Sequence, residues 1–209
     1  MMVLMVGGAF GATKTTNTQS STSKSSASKL LESHYKPNTF AINIGLDLWA
    51  FTYGGFGIYP GAEWVVGQYA LENQIPFDFG IAVQGFYYTY GYDYSYIGYN
   101  YSWRWNYLGA GVFGTMHFGP KKSIPTLPEF LEKVDFYAGI GIFFRSIWVT
   151  FSDPAVQSWY DTYYNNKPSF IGFATMGGVT YFLTDSFGIR FDGSYYGYAG
   201  ATISAVFKF

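Results

Sequence analysis

The decapeptide Gly200-Ala-Thr-Ile-Ser-Ala-Val-Phe-Lys-Phe209 alternates. In an extended chain Ile203, Ala205, Phe207 and Phe209 share one face, and Thr202, Ser204 and Lys208 share the other. A period of two marks a β-strand with one apolar and one polar side. The stretch before it carries the same code. Phe187, Ile189, Phe191 and Tyr195 oppose Arg190, Asp192 and Ser194. So does the stretch that opens the patterned region, where Phe40, Ile42, Ile44, Leu46 and Leu48 oppose Asn43, Gly45 and Asp47.

Working outward from these, eight alternating segments are found, at about 39–51, 56–69, 77–90, 98–118, 134–151, 169–183, 187–197 and 201–209. An even number lets a meander close with both termini at one end. Eight strands is also the smallest common barrel, its interior just filled by side chains. The expected fold is all-β: an eight-stranded antiparallel up-and-down transmembrane β-barrel over residues 39–209.

Composition agrees with a membrane setting. Charged residues are 12% of the chain, against about 25% in a typical soluble protein. Aromatic residues reach 23%, yet the mean hydropathy is only +0.05. That combination fits a wall that is greasy on one side and polar on the other. No window after the N-terminus approaches the ~20 continuous apolar residues of a membrane helix. A bilayer would therefore be crossed by a closed barrel, since open strands leave backbone groups unsatisfied in lipid. The net charge of −1 comes with no basic stripe, so no nucleic-acid partner is expected. The absence of Cys excludes a disulfide framework, a thiolate metal site and a cysteine-linked lipid anchor.

Residues 1–11 read as a truncated signal peptide. Met1 to Ala12 is apolar, and Ala9-Phe10-Gly11 fits the small-x-small cleavage rule, though a positive leading region is missing. An apolar N-terminal strand is the alternative. Residues 12–38 read as a flexible Ser/Thr-rich linker, with a helical turn or two at Lys29 to Tyr35 and a break at Pro37-Asn38. The links after the barrel begins sort into two ends. One end holds 72–76, 119–133 with a short helix at 127–133, and 184–186; the other holds 52–55, 91–97, 152–168 and 198–200. Outer loops are usually the longer ones, which places the second group outside, but the fifteen-residue 119–133 link keeps the opposite assignment open. In the fourth segment Tyr101, Trp103, Trp105 and Tyr107 give way to Leu108, Ala110 and Val112. That parity change predicts a β-bulge at Gly109 and Gly111.

The final strand and the hairpin Thr180 to Tyr196, with its short Thr-Asp-Ser turn, resemble the small outer-membrane barrels of the OmpA/OmpX type. The resemblance covers 39–209 as architecture and the last thirty residues as motif. It implies a monomer in the outer membrane of a diderm bacterium, held in outer-membrane lipid. It also implies that Ile203, Ala205, Phe207 and Phe209 form the signal read by the barrel-assembly machinery. No peptidoglycan-binding domain is expected after the barrel. A lipocalin-like soluble barrel would show the inverse code, apolar inside and polar outside, which the last two segments oppose.

Parity points Asp47, Glu63, Arg104, Arg145, Arg190 and Asp192 into the lumen. Charges there must pair or stay hydrated. They would either close the barrel as a salt-bridged plug or line a narrow selective channel. Tyr92, Tyr94 and Tyr96, with Trp159, Tyr160, Tyr163 and Tyr164, fall in presumed outer links. They would form either part of an interfacial girdle or a surface patch for a host or other surface ligand. The Gly109–Gly114 stretch matches G-x-G-x-x-G but lies inside a strand pattern with no helix after it, so a dinucleotide site is rejected.

A lipid-modifying barrel enzyme would need a His and a Ser placed as base and nucleophile. His34 lies in the linker, and His117 has no Ser at the alternate position. Two distant His without Cys give no zinc site, and Asp153, Asp161, Asn165 and Asn166 lack calcium-loop spacing. No cofactor, metal or catalytic residue is expected. The function expected is a non-enzymatic integral outer-membrane barrel with a structural or adhesin-like role. A narrow solute channel stands second and a lipid-modifying enzyme third.

Overall fold

The computed structural model describes residues 32–72, 75–119, 128–164, 168–196 and 199–209. Residues 1–31, which include the signal-peptide reading and most of the linker, lie outside the described residues. The strands are β1 (Phe40–Asp47), β2 (Phe56–Leu71), β3 (Ile75–Tyr96), β4 (Tyr99–Phe118), β5 (Val134–Phe151), β6 (Ser169–Phe182), β7 (Phe187–Tyr195) and β8 (Ala199–Lys208). Each pairs antiparallel with the next, and β8 returns to β1 to close the barrel. A short helix α1 (Leu48–Thr52) follows β1, and α2 (Pro154–Tyr164) joins β5 to β6. A 3-10 turn at Glu129–Lys133 precedes β5, inside the short helix predicted there.

Closure places the terminal strand where its pattern requires. Ile203, Ala205 and Phe207 pair with Leu46, Ile44 and Ile42 on the outward face of the seam. The seam ends on Phe209, whose N–H donates to the Phe40 carbonyl at 2.8 Å. The rings of Phe40 and Phe209 also meet, 6.5 Å apart.

The two faces of the wall are of opposite kind. Outward residues are large and apolar all round: Ile44 on β1, Trp64 on β2, Ile81 on β3, Val112 on β4, Ile140 on β5 and Phe173 on β6 are exposed. Ile140 is 73% and Phe173 84% exposed. Soluble monomers rarely show apolar patches beyond a few hundred Å², whereas here the belt encircles the barrel. Inward residues include buried Asp47, Glu63, Asp78, His117, Asp135 and Arg190. A water-soluble barrel has the reverse arrangement. This wall suits hydrocarbon outside and polar packing inside, the transmembrane solution.

The wall is not of even height. β3 has 22 residues, β4 20 and β5 18, while β1 has 8 and β7 9. A tilted strand needs about 9–11 residues to cross the hydrocarbon. The β3–β4 hairpin therefore rises some ten residues beyond it, about 30 Å along the strand at ~3.3 Å per residue. Its tip is the pair Ile97-Gly98, with φ of 33° and 83°. Positive φ at both central residues is what a two-residue hairpin turn needs. The segment 91–97, predicted as a loop, is thus mostly strand.

The tall hairpin also corrects the predicted bulge. The β3–β4 register runs unbroken from Asp78↔His117 to Tyr96↔Tyr99. The irregularity in the sheet lies in β2 instead, between Val65 and Gly67. In β4 the row Trp103, Trp105, Tyr107, Gly109, Gly111, Phe113, Thr115, His117 keeps to the inward side, and Arg104, Asn106, Leu108, Ala110, Val112 keep to the outward side. The backbone phase never changes; the surroundings do. Where the strand faces lipid its outward row is apolar, and where it stands clear of lipid that row turns polar.

Candidate functional site

Two constellations are built on this frame, a polar network in the lumen and an aromatic cavity at the rim. The network begins at the end that holds the start of β1 and the end of β8. His117 on β4 is fully buried, with Nδ1 2.8 Å from Asp135 Oδ2 on β5 and Nε2 2.7 Å from Glu63 Oε1 on β2. With a carboxylate at each nitrogen, both nitrogens serve as donors, and the ring is a cation between two anions. Thr115 Oγ1 also donates to Glu63. Arg190 on β7 reaches the other oxygen of Glu63 at 3.9 Å and donates to Thr180 Oγ1 at 3.0 Å, its guanidinium 4.3 Å from the Tyr137 ring centre. The Tyr137 hydroxyl donates to Asp192, which also accepts from Thr202 at 3.1 Å and Ser204 at 3.2 Å.

The chain before β1 completes the network. Tyr35 is fully buried, its ring 4.1 Å from that of His117, and its hydroxyl accepts from Arg190 at 2.8 Å. Burial raises the Tyr35 phenol above its ordinary range, so it stays a neutral hydroxyl. His34, which sequence placed in a linker, is buried against Phe182 and bonded through Nε2 to the Glu132 carbonyl at 2.7 Å. Lys208 Nζ donates to the His34 carbonyl at 2.7 Å and lies 3.8 Å from the Phe182 ring centre. The helical turn expected at Lys29 to Tyr35 does not include residues 32–35, which are irregular.

Above the network the lumen is filled by rings. Tyr196 packs on Phe86 at 4.8 Å, on Phe113 at 5.8 Å and on Phe143 at 5.9 Å. The cavity left among Asn43, Tyr59, Gln84, Asp192, Tyr196 and Ser204 is about 10 Å³, room for roughly one water.

The rim cavity lies at the opposite end, where β1 finishes at Asp47. Asp47, the last residue of β1, caps α1: its Oδ1 accepts from Ala50 N at 2.8 Å and its Oδ2 from the Tyr59 hydroxyl at 2.9 Å. The cap turns the chain so that Trp49 and Tyr53 face the tall β3–β4 wall. There Tyr88 and Tyr107, a cross-strand pair, stack at 4.2 Å and 9°, with Tyr90 stacked beside them at 6.2 Å from Tyr88. Tyr53 meets Tyr90 at 6.4 Å and Trp49 meets Tyr53 at 5.7 Å. Together with Tyr92 and Asp47 these residues enclose a cavity of about 440 Å³.

The predicted residues are distributed as follows. Asp47, Glu63 and Arg190 are buried inside the barrel and Asp192 is half-buried there. Arg145 is inward but high, donating to the Tyr196 carbonyl at 3.1 Å beside the Phe170 ring. Arg104 does not enter the lumen. It stands on the outward, water-facing row of the hairpin and pairs with exposed Asp93 at 3.2 Å. The aromatic patch divides. Tyr92 lines the rim cavity and contacts Trp103 at 5.4 Å, while Tyr94 is exposed near the hairpin tip. Tyr96 is placed in β3, its side chain outside the described residues. Trp159, Tyr160, Tyr163 and Tyr164 lie on α2, a helix where a loop was expected. Asp153 caps that helix through Ala155 N at 2.8 Å. Tyr160 joins it to β5 through Phe151 at 5.1 Å.

Sequence reasoning missed Asp135, Asp78 and Tyr35 in the lumen and Trp49 and Tyr53 at the rim, and it weighed His117 only as an isolated base and Tyr107 only as part of an aromatic run. A signal for His117 existed: it continues the inward row Gly109, Gly111, Phe113, Thr115. Among the described residues no cluster of three or more His, Cys, Asp or Glu is arranged to hold a metal ion.

No family model matches the chain, and no curated protein matches it. Among solved structures it is similar to Ail of Yersinia pestis, crystallised with the heparin analogue sucrose octasulfate, at 12% identity, covering 83% of this chain and 99% of that one, TM-score 0.47. It is similar to the N-terminal β-barrel domain of Pseudomonas aeruginosa OprF at 13% identity, covering 83% and 98%, TM-score 0.44. The outer membrane protein OprG from Pseudomonas aeruginosa is similar at 10% identity, covering 84% and 92%, TM-score 0.43. At these identities the likeness is one of barrel architecture alone.

Proposed function

We propose that this chain is a non-enzymatic, monomeric integral barrel of a bacterial outer membrane, closed to solutes, that presents its aromatic rim to the exterior for surface interaction. The observation that carries the reading is an open aromatic cavity at one rim above a lumen packed with rings. The tight turn between β6 and β7, the start of β1 and the end of β8 lie at the other rim, which supports reading it as the periplasmic side. The buried charges Glu63, His117, Asp135 and Arg190 are paired across strands, which favours a plug over a water path. His117 is sealed between carboxylates, which leaves the lipid-modifying reading without a reachable base. The outward row of β8, ending on the Phe209 clamp to Phe40, is proposed to be the stretch the assembly machinery reads.

Sidedness is directly testable because the chain has no Cys. With Ile97→Cys at the hairpin tip, a membrane-impermeant maleimide should label intact cells. With Asp185→Cys in the opposite turn, labelling should require a broken envelope. The reverse pattern would overturn the proposal. In planar bilayers the purified barrel should give no discrete conductance steps; regular openings would restore the channel reading.

A further inference from the structure

We infer that the rim cavity binds a quaternary ammonium group, as a free small molecule or as the headgroup of a choline-bearing lipid. The inference rests on the surface-interaction reading above and gives it a ligand class.

The chemistry of the lining is one-sided. Trp49, Tyr53, Tyr88, Tyr90, Tyr92 and Tyr107 line the cavity with aromatic rings, and Asp47 supplies a carboxylate at the floor. Among the described residues, no Lys, Arg or His lines the cavity. Both oxygens of Asp47 are bonded by neutral donors, the Ala50 N–H and the Tyr59 hydroxyl, which orient the charge without cancelling it. A cation is thus attracted from two directions: by the carboxylate below and by the ring quadrupoles around. An anion meets no compensating group. A neutral sugar could stack on the rings but would leave the floor charge unanswered. Among cations, a quaternary ammonium suits the site best, because its methyl groups shed water at little cost against aromatic walls while its charge still reaches the π faces.

The cavity is also preformed and open. Tyr88, Tyr90 and Tyr107 hold one another in near-parallel stacks, so little ordering remains to be done on binding. Trp49, Tyr53 and Tyr92 are at least half exposed at the mouth, while Tyr88 is buried at depth. About 440 Å³ accommodates a whole headgroup.

The test uses the full chain purified in a maltoside, which carries no ammonium group. Titration with choline, followed by Trp fluorescence and calorimetry, should saturate. The uncharged isostere 3,3-dimethylbutan-1-ol has the same shape without the charge, and should bind about tenfold more weakly or worse, as expected when the cation–π and carboxylate terms are lost. Asp47→Asn keeps a residue able to cap α1 and should weaken choline binding by a similar factor. If that variant does not fold, Trp49→Leu and Tyr92→Leu at the exposed mouth carry the test and should each weaken binding several-fold. Vesicles of phosphatidylcholine against phosphatidylglycerol separate the sources: capture by the first alone assigns a lipid headgroup, and choline binding without vesicle capture assigns a soluble ligand. Either supports the inference. Absence of saturable choline binding, or equal binding of the isostere, overturns it. The Ile97→Cys and Asp185→Cys labelling reads sidedness independently, so a failure of the ligand is distinguishable from a failure of the surface reading.

Discussion

His117→Leu will cost the barrel about 3–5 kcal/mol, the loss typical of removing one partner from a buried ionic group. The side chain it deletes is the cation between Glu63 and Asp135, and neither carboxylate can turn to water from its place in the lumen. Without the ring the two anions face each other across the space it filled. Arg190 gives Glu63 one further cationic neighbour, at 3.9 Å, which softens the loss at that oxygen and does nothing for Asp135. The measurement is urea unfolding of the barrel in lipid vesicles, read from heat-modifiable migration. Adding Glu63→Gln and Asp135→Asn to His117→Leu should return part of the stability, because the repelling charges are then gone. The exposed Arg104–Asp93 pair is the contrast: Asp93→Ala should change stability by less than about 1 kcal/mol. A loss at His117 as small as that at Asp93 would mean that the lumen network is hydrated and not structural.

One substitution at two exposed isoleucines should give opposite results. Ile44 lies mid-strand on β1, which at 8 residues is the shortest strand and must cross the hydrocarbon along nearly its whole length. Ile97 is 82% exposed, more so than Ile44, but stands at the tip of the tall hairpin. Arginine at a barrel's lipid face costs about 2–4 kcal/mol near the midplane and falls towards zero at the interface. Ile44→Arg should therefore destabilise the barrel by that amount, and Ile97→Arg should leave it within about 0.5 kcal/mol of the parent. Equal effects at both positions would contradict the membrane placement of the belt.

Alternation carried most of the architecture. On β1, β7 and β8 every outward and inward assignment made from the sequence matches the structure, because those strands are short and stay between lipid and lumen throughout. The same rule misplaced Arg104. It reads faces relative to apolarity, and apolarity marks the outward side only where lipid is outside; β4 passes into water halfway along, and its aromatic row then marks the inner side. The lumen partners were hidden for another reason. His117 and Asp135 meet across the neighbouring β4–β5 pair, but Glu63 lies on β2, two strands away, and reaches the ring only because the sheet curls round the lumen. Parity says that each points inward but not at what height, so a lone His looked inert. The Asp47 cap and the rim it organises belong to the same class, since Trp49 and Tyr53 acquire meaning only opposite the hairpin. Tyr35 had no signal of its own: it precedes the first strand and sits next to a Ser/Thr-rich tract.

Lys208 joins the beginning of the described chain to its end. It pairs with Ala41 in the seam, while its ammonium bonds the His34 carbonyl and rests on Phe182. The segment before β1 is separated from β8 by the whole barrel in sequence, yet one of its anchors, Lys208, lies at the end of β8. Until the seam closes, Tyr35 has neither a finished wall to enter nor the lysine to hold its neighbour. A barrel lacking its last strand would lose the lysine latch, leaving this segment to its contacts with Arg190, His117 and the Glu132 carbonyl.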